Sequence, residues 1–250
     1  MRLSNIGNIH SIETMGLLDG PGVRTIFFLQ GCPLRCQYCH NPDSQAFEPK
    51  RSMSPEETVQ FAKRYQSYYG KEGGVTFSGG EPLAQMDYLL ETLPLLKDQG
   101  IHVAIDTSGF TDYEKLKELL PYVDLFLLDV KAFSDADYKK VTERPMGPFE
   151  KFMETLIEEN YQGRIWIRHV MVEGWSDSED AMDRLWATVE KLAPWIDQID
   201  ILPYHTMGGD KYEALGRTYA LEGVPAMDKD RAKKLENYVN KKLEDVNAER

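Results

Sequence analysis

Apolar residues along this chain fall into two alternating kinds of run. Six runs are short and rich in β-branched or aromatic residues: VRTIFFLQ (23–30), GVTFS (74–78), IHVAIDT (101–107), VDLFLLDVK (123–131), RIWIRHVMV (164–172) and IDQIDILPY (196–204). Each is read as a buried strand. Between them apolar residues recur at helical spacing, predicting helices over roughly 84–98, 112–120, 149–160, 178–192 and 228–244. The stretch SMSPEETVQFAKRYQSYY carries the clearest helix start, with Ser54 as N-cap, Pro55 at the first helical position and Glu57 closing a capping box. Pro94 is expected to kink or end the helix that contains it.

Alternating buried strands and helices predict a parallel α/β fold. An open doubly wound sheet and a barrel-like ring both fit that alternation, and six units are too few to close an eight-fold barrel. The polar residues at the strand ends separate the two. The first run leads into GCPLRC, the second into SGGEP (78–82), the third ends in DTSG (106–109) and the fourth in DVK (129–131). The fifth carries Arg168 inside an apolar stretch, and the sixth ends in PYH (203–205). Ligands bind outside the carboxyl ends of parallel strands, and contributions from all six strands favour a ring. The expectation is a partial, open (β/α)6 TIM-like barrel with parallel strands. No linker or repeat divides it, so residues 1–250 are read as one domain, with 1–22 as an N-terminal extension and 225–250 as a C-terminal helix.

Strand alternation places Leu125, Leu127, Asp129 and Lys131 on one face, and Trp166, Arg168 and Val170 together on another. A carboxylate and two cations thus enter apolar faces. Structural ion pairs would leave the same pattern, so these charges alone are ambiguous.

Composition narrows the classes. Hydrophobic residues are 42% and charged residues 28%, enough for a full core. The net charge of −12, with no basic patch, argues against nucleic acid as a partner. No apolar run approaches the roughly 20 residues of a membrane helix, and MRLSNIGNIHSIE is too polar for a secretory signal. A cytoplasmic location, where thiols stay reduced, is expected.

That compartment matters because all 3 cysteines lie within GCPLRCQYCHNP (31–42). An odd count in a reducing compartment argues against disulfides. Structural zinc wants four closed ligands, and the fourth would have to come from far away, since His40 adjoins Cys39 too closely to reach the same ion. An iron–sulfur cluster fits better: three thiolates would leave one iron of a cubane open to a substrate or cofactor.

CPLRCQYC (32–39) resembles the Cys-x3-Cys-x-aromatic-Cys signature of the radical S-adenosylmethionine (radical SAM) enzymes, with Tyr38 as the aromatic. DGPGVRTIFFLQGCPLRCQYCHNP, SGGEP, DTSG, LLDVK, WIRHVMVEGWSD and ILPYHTMG occur in the order found in activases of glycyl radical enzymes, the pyruvate formate-lyase type in particular. The blocks run from about residue 6 to residue 224. No cysteine follows Cys39, unlike activases with a cysteine-rich ferredoxin-like insert.

The resemblance implies a set of roles. Cys32, Cys36 and Cys39 would hold a [4Fe–4S] cluster, whose fourth iron takes the amino and carboxylate groups of S-adenosylmethionine. Tyr38, Cys39 and His40 would lie against the adenine, with Asn41 nearby. Gly79, Gly80 and Glu81 would receive the methionyl amino group, Glu81 as an anchor of that turn. Asp106, Asp129, Val130, Lys131, Arg168, Val170 and His205 would complete the pocket. Asp19 and His40 would meet the glycine-bearing loop of a protein substrate. Asp106 and Asp129, beside the cofactor's own carboxylate, suggest a bound Na⁺ or K⁺ where Lys131 does not offset the charge. The implied activity is reductive cleavage of S-adenosylmethionine to a 5′-deoxyadenosyl radical that takes hydrogen from a glycine Cα of pyruvate formate-lyase. A flavodoxin or ferredoxin would supply the electron, and the chain is expected to be a monomer. His10, His102 and His169 are read as packing or surface residues.

Overall fold

The computed structural model describes residues 5–48 and 50–248; the outermost parts of the expected N-terminal extension and C-terminal segment, residues 1–4 and 249–250, lie outside the described residues. Two compact units account for the fold. The first takes the chain up to Pro33, then Ser44–Leu127 and Pro148–Gly163; the second takes Leu34–Asp43, Leu128–Gly147 and the chain from Arg164 onward.

In the first unit, β1 (Gly7–Gly16), β2 (Arg24–Leu29), β3 (Arg51–Met53), β4 (Gly74–Gly79), β5 (His102–Thr107) and the start of β6 (Leu125–Asp129) lie in the order β3-β1-β2-β4-β5-β6. Strands β2, β4 and β5 run parallel, with Phe27 opposite Phe77 and Phe77 opposite Ile105. Both rings are fully buried and stack at 5.6 Å. The helices of this unit are α1 (Pro55–Lys63), α2 (Met86–Asp98), α3 (Tyr113–Leu119) and, across a boundary, α5 (Gly147–Glu158), which comes after α4 (Asp135–Thr142) of the second unit.

Two strands depart from the parallel expectation. β1 pairs antiparallel with β2, and β3 antiparallel with β1. β1 lies inside the segment read as an extension. Most of its residues remain partly or fully exposed, so its sequence is too polar to show as a strand. β3 has 3 residues, too few for any period.

The capping box of α1 is present: the Ser54 hydroxyl accepts from the Glu57 amide at 3.2 Å, and the Glu57 carboxylate accepts from the Ser54 amide at 2.8 Å. The helix predicted around Pro94 does not stop there but runs on to Asp98. An interior proline costs about 3 kcal/mol. Leu89, Leu93 and Leu96 are fully buried on that helix, and each contributes roughly 1.5–3 kcal/mol, enough to override it.

At the amino ends of β2, β4 and β5 a buried cation organises the turns. Arg24 is fully buried, and its Nε donates to the Thr76 hydroxyl at 2.6 Å. Its other nitrogens donate to the carbonyls of Pro21 (3.0 Å) and Val75 (2.7 Å) and to His102 Nδ1 (3.1 Å). A guanidinium can only donate, so His102 Nδ1 must be the unprotonated acceptor. Burial, reinforced by the Arg24 charge, pushes the His102 pKa down to about 4. A base depressed in the folded state stabilises the fold above its unfolded pKa, near 6.5, and loses that contribution as pH falls through the folded value. His102→Gln is therefore expected to flatten the fall in melting temperature between about pH 6.5 and pH 4. Parallel thermal melts across that window check this, and identical pH profiles would contradict it.

The second unit holds the end of β6, then β7 (Arg164–Met171) and β8 (Ile196–Pro203), in the order β6-β7-β8. It also holds α4, α6 (Glu179–Val189), α7 (Gly209–Ala214) and α8 (Lys229–Ala248). Helices α4 and α7 were not foreseen; their 8 and 6 residues are mostly polar and carry little periodic signal. β7 pairs parallel with β8, placing Arg168 opposite Asp200. Its burial alternates strictly, with Ile165, Ile167, His169 and Met171 buried and Trp166, Arg168 and Val170 half-buried.

β8 ends the strand order, and α8 covers its free edge. Asn240 accepts from the Ile199 amide at 3.0 Å and donates to the Ile199 carbonyl at 2.7 Å; Glu236 accepts from the Ile201 amide at 3.0 Å. Edge backbone groups that would otherwise invite a further strand are thus satisfied by side chains.

Candidate active site

In the second unit the cysteine loop is pinned to the end of α4. The amides of Arg35 and Gln37 donate to the carbonyls of Thr142 and Val141, each at 2.9 Å. Those carbonyls belong to the last turn of the helix and lack intrahelical partners. The Cys39 amide closes a turn on the Cys36 carbonyl at 3.0 Å. Both thiols are free and half-buried. Burial pushes the Cys36 thiol up to about 12, against the pull of the Lys131 ammonium. A thiol in that state is inert until a metal displaces its proton.

Lys131 is the electrostatic centre of this region. It is bonded to Asp129, with side chains only 14% and 15% exposed, so the pair foreseen from strand alternation is formed. Burial alone would lower the Lys131 pKa, but Asp129, with Cys36 and Tyr38, holds it well above the ordinary value. Its Nζ lies 5.8 Å from the centroid of the buried Tyr38 ring. The Tyr38 hydroxyl and the second Asp129 oxygen are buried without a hydrogen-bond partner among the described residues. Unmet polar atoms of this kind ask for a ligand.

His40 and His205 stack at 3.8 Å with their planes 8° apart, and His40 Nε2 donates to the His205 carbonyl at 3.0 Å. Tyr204 extends the stack at 6.2 Å. Burial lowers the His40 pKa, which favours the uncharged ring. Asn41 accepts from Lys211 at 2.7 Å, a partner the sequence offered no way to foresee. The Val130 amide donates to the Arg168 carbonyl at 2.8 Å, tying β6 to β7 where Val170 and Arg168 share a face.

In the first unit the loop carrying Cys32 leaves β2 beside the SGGEP turn. The Gly80 amide donates to Leu29 O (2.8 Å) and the Glu81 amide to Gly31 O (2.9 Å), while the Cys32 amide donates to Gln45 O (3.1 Å). Gly79 has φ of +98°, and a Cβ there would lie 2.6 Å from the Leu29 nitrogen. At Gly80 a Cβ would lie 2.2 Å from Gly31 O. Both glycines are thus required first by contact between two protein backbones.

Glu81 is buried at 1% exposure and accepts four hydrogen bonds, from Thr107 Oγ1 (2.6 Å), Ser108 N (2.9 Å), Ser108 Oγ (2.6 Å) and Leu83 N (3.1 Å). It welds SGGEP to DTSG, and burial raises its pKa in spite of the four donors. An amide at this position would set a donor against donors. Glu81→Gln is expected to destabilise the chain by about 2 kcal/mol, read by denaturant titration. A change within error would remove the anchor role. Asp106 accepts from the Ser78 hydroxyl at 2.9 Å. The Asp19 carbonyl accepts from Thr76 Oγ1 at 2.6 Å, which sets DGPG at the amino end of β2, whereas the cysteines come after its carboxyl end.

The donor set fits the implied groups. Three thiols, none of them in a disulfide, share one loop, and a buried carboxylate oxygen awaits a donor such as an amino or hydroxyl group. Among the described residues no three His, Cys, Asp or Glu side chains are arranged to hold a metal ion. Thiolates around a four-iron cluster are spaced by the cluster itself, so a ready-made single-ion site is not what they need to form.

A mostly parallel α/β sheet that does not close, with clustered thiols and a Gly-Gly-Glu turn after its strands, defines a radical SAM protein. A family model described as the radical SAM superfamily matches residues 26–185. The chain is 45% identical over 240 residues to the pyruvate formate-lyase-activating enzyme of Clostridium pasteurianum, covering 96% of this chain and 99% of that one. It is 40% identical over 232 residues to the enzyme of the same name from Listeria monocytogenes, covering 90% and 92%. A solved domain of a pyruvate-formate lyase-activating enzyme from Bacteroides vulgatus superposes with a TM-score of 0.52 at 25% identity, over 68% of this chain and 94% of that one. The chain belongs to the radical SAM superfamily and, within it, to the family of pyruvate formate-lyase-activating enzymes.

Proposed function

We propose that this chain activates pyruvate formate-lyase by installing a glycyl radical in it. One observation carries the reading: three thiols outside any disulfide on a single loop, in a chain that aligns along nearly its whole length with enzymes of that name. Cys32, Cys36 and Cys39 hold the [4Fe–4S] cluster that the family implies. When bound, the cluster and S-adenosylmethionine supply the reductive cleavage whose 5′-deoxyadenosyl radical takes hydrogen from the glycine Cα.

The chain's own residues bind and exclude water. Asp129, fixed by Lys131, offers its second oxygen to an amino or hydroxyl group of the cofactor. The Tyr38 side chain, with Cys39, His40 and His205, supplies a flat wall for the adenine, and Asn41, Val130, Arg168 and Val170 border it. Gly79 and Gly80 present backbone to the methionyl end, and Glu81 anchors that turn without touching it. Asp19 and His40 meet the peptide. Asp106 and Asp129 take a monovalent cation when S-adenosylmethionine adds its carboxylate. The whole of 1–250 works as one catalytic domain and as a monomer, with a flavodoxin or ferredoxin as its electron source.

Anaerobic reconstitution tests this. The expected product is brown, holds about four irons and four sulfides per chain, and on reduction splits S-adenosylmethionine into methionine and 5′-deoxyadenosine. A colourless chain with stoichiometric zinc would overturn it.

A further inference from the structure

In the first unit the two faces of β2, β4 and β5 differ in what packs on them. Phe27 and Phe77 point to the helices: the ring of Phe61 on α1 lies 5.8 Å from that of Phe27, and Tyr88 on α2 lies 6.4 Å from Phe77. Strand alternation turns the neighbouring residues to the opposite face. There the parallel register sets Arg24 beside Gly74 and His102, then Ile26 beside Thr76 and Ala104, then Phe28 beside Ser78. Asp106 follows Ala104 by two positions on the same face, and the Ser78 hydroxyl donates to it at 2.9 Å. This face therefore runs from a buried arginine at the amino ends of the strands to a polar pair at their carboxyl ends.

The DGPG turn (19–22) is held against the middle of that face. Arg24 Nε donates to Thr76 Oγ1 at 2.6 Å, and Thr76 Oγ1 donates its one proton to the Asp19 carbonyl, also at 2.6 Å. A guanidinium can only donate and a carbonyl can only accept, so the relay has one direction, from Arg24 through Thr76 to Asp19. A hydroxyl that accepts from a cation is polarised and donates more strongly. A second arm runs from Arg24 to the Pro21 carbonyl at 3.0 Å. Arg24 and Thr76 are both fully buried, so water does not compete for the relay. The glycines allow this close approach. A Cβ on Gly20 (φ +116°) would lie 3.1 Å from Arg24 Cδ, and one on Gly22 (φ +66°) 2.5 Å from the Gly73 nitrogen.

The position of Thr76 decides what the turn can serve. It precedes Ser78 by two residues, a rise of roughly 7 Å along the strand. A carbonyl bonded to Thr76 thus brings Asp19 onto the face that carries Ser78 and Asp106, although the turn enters from the amino ends of the strands. Asp19 remains partly exposed there. The Pro21 arm alone would tie the turn to Arg24. The arm through Thr76 adds a bond to the backbone of the one turn residue assigned to the partner's peptide. Fixing that backbone before the encounter removes an ordering cost from binding.

We infer that Arg24 and Thr76 are positioning residues for the protein substrate: their relay holds the Asp19 backbone in place, so that Asp19 meets the glycine-bearing loop of the lyase without first having to be ordered. Neither residue touches the peptide; both act through Asp19. The inference rests on the activase reading, because Asp19 has a peptide to meet only under that reading.

The test compares Thr76→Val, which removes the hydroxyl and keeps the branched shape, with Thr76→Ser, which keeps the hydroxyl. Thr58→Val is the control. Thr58 is another fully buried threonine of this unit, and its hydroxyl meets the Tyr88 hydroxyl at 2.7 Å and the Ser54 carbonyl at 3.0 Å rather than the turn. Affinity for the lyase is measured on the cluster-loaded, unreduced chain with S-adenosylmethionine. It is expected to fall about tenfold in Thr76→Val, the cost of ordering about one backbone residue on binding. Thr76→Ser and Thr58→Val should stay near the parent. The KM for the lyase should rise by the same factor in Thr76→Val, while 5′-deoxyadenosine release without the lyase stays at the parental rate. In an Asp19→Ala background, which keeps the carbonyl, Thr76→Val should cost little further affinity. Thr76→Ala is expected to act in the same direction and replaces the valine chain if that chain does not fold. Parent-like affinity in the hydroxyl-free chains, an equal loss in Thr58→Val, or full additivity with Asp19→Ala would each overturn the positioning role. A parent chain that forms no glycyl radical on the lyase would instead sink the activase reading, and this inference with it.

Discussion

Replacing Lys131 by Met is expected to lower the stability of the metal-free chain by about 3–5 kcal/mol, because it leaves the Asp129 carboxylate buried without a cation. For a chain of this length that corresponds to a fall in melting temperature of roughly 10 °C, read by calorimetry or circular dichroism. The Asp129 side chain is only 15% exposed, and one of its oxygens already lacks a partner among the described residues. Adding Asp129→Asn to the Lys131→Met chain should recover much of the stability while leaving the affinity for S-adenosylmethionine low. Recovery of stability without recovery of binding separates the structural role of the pair from its role toward the cofactor. A Lys131→Met chain that melts with its parent would show that the pair is a solvated contact.

Cys36→Ser carries the second large effect. The hydroxyl keeps the size of the thiol, so the loop should retain its bonds to Thr142 and Val141. It does not give up its proton to iron as a thiol does, and two thiolates are a poor anchor for a cubane. Reconstituted variant should carry little iron or sulfide, and reductive cleavage of S-adenosylmethionine should fall by at least about a thousandfold, or about 4 kcal/mol in the barrier. The same outcome is expected for Cys32→Ser and Cys39→Ser. A variant that loads iron to the parental level and turns over at a comparable rate would remove that thiol from the ligand set.

The sequence revealed the elements whose signal is periodic or chemically peculiar. Strands β2, β4, β5 and β6 are buried along nearly their whole length while β7 alternates, and the polar ends SGGEP, DTSG and DVK mark the strand termini that carry functional groups. The Asp129–Lys131 pair comes from strand alternation alone. The antiparallel β1 was hidden because an outer strand keeps polar residues along most of its length. Helix α2 outlasts Pro94 because three buried leucines decide the matter through tertiary packing, which no local rule records. The polar couplings were equally invisible: Glu81 to Ser108 spans 27 positions, Asn41 to Lys211 spans 170, and Arg24 to His102 spans 78. Composition can flag a buried arginine as unusual but cannot say which carbonyls it will find.

Electron paramagnetic resonance gives the glycyl radical claim its most direct trial. The reconstituted chain, a reductant, S-adenosylmethionine and pyruvate formate-lyase are combined without oxygen, and the spectrum is recorded over time. A doublet from one glycine radical should grow on the lyase in step with 5′-deoxyadenosine, and neither should appear with the Cys36→Ser chain. Steady release of 5′-deoxyadenosine in the presence of the lyase, with no doublet on it, would contradict the central claim.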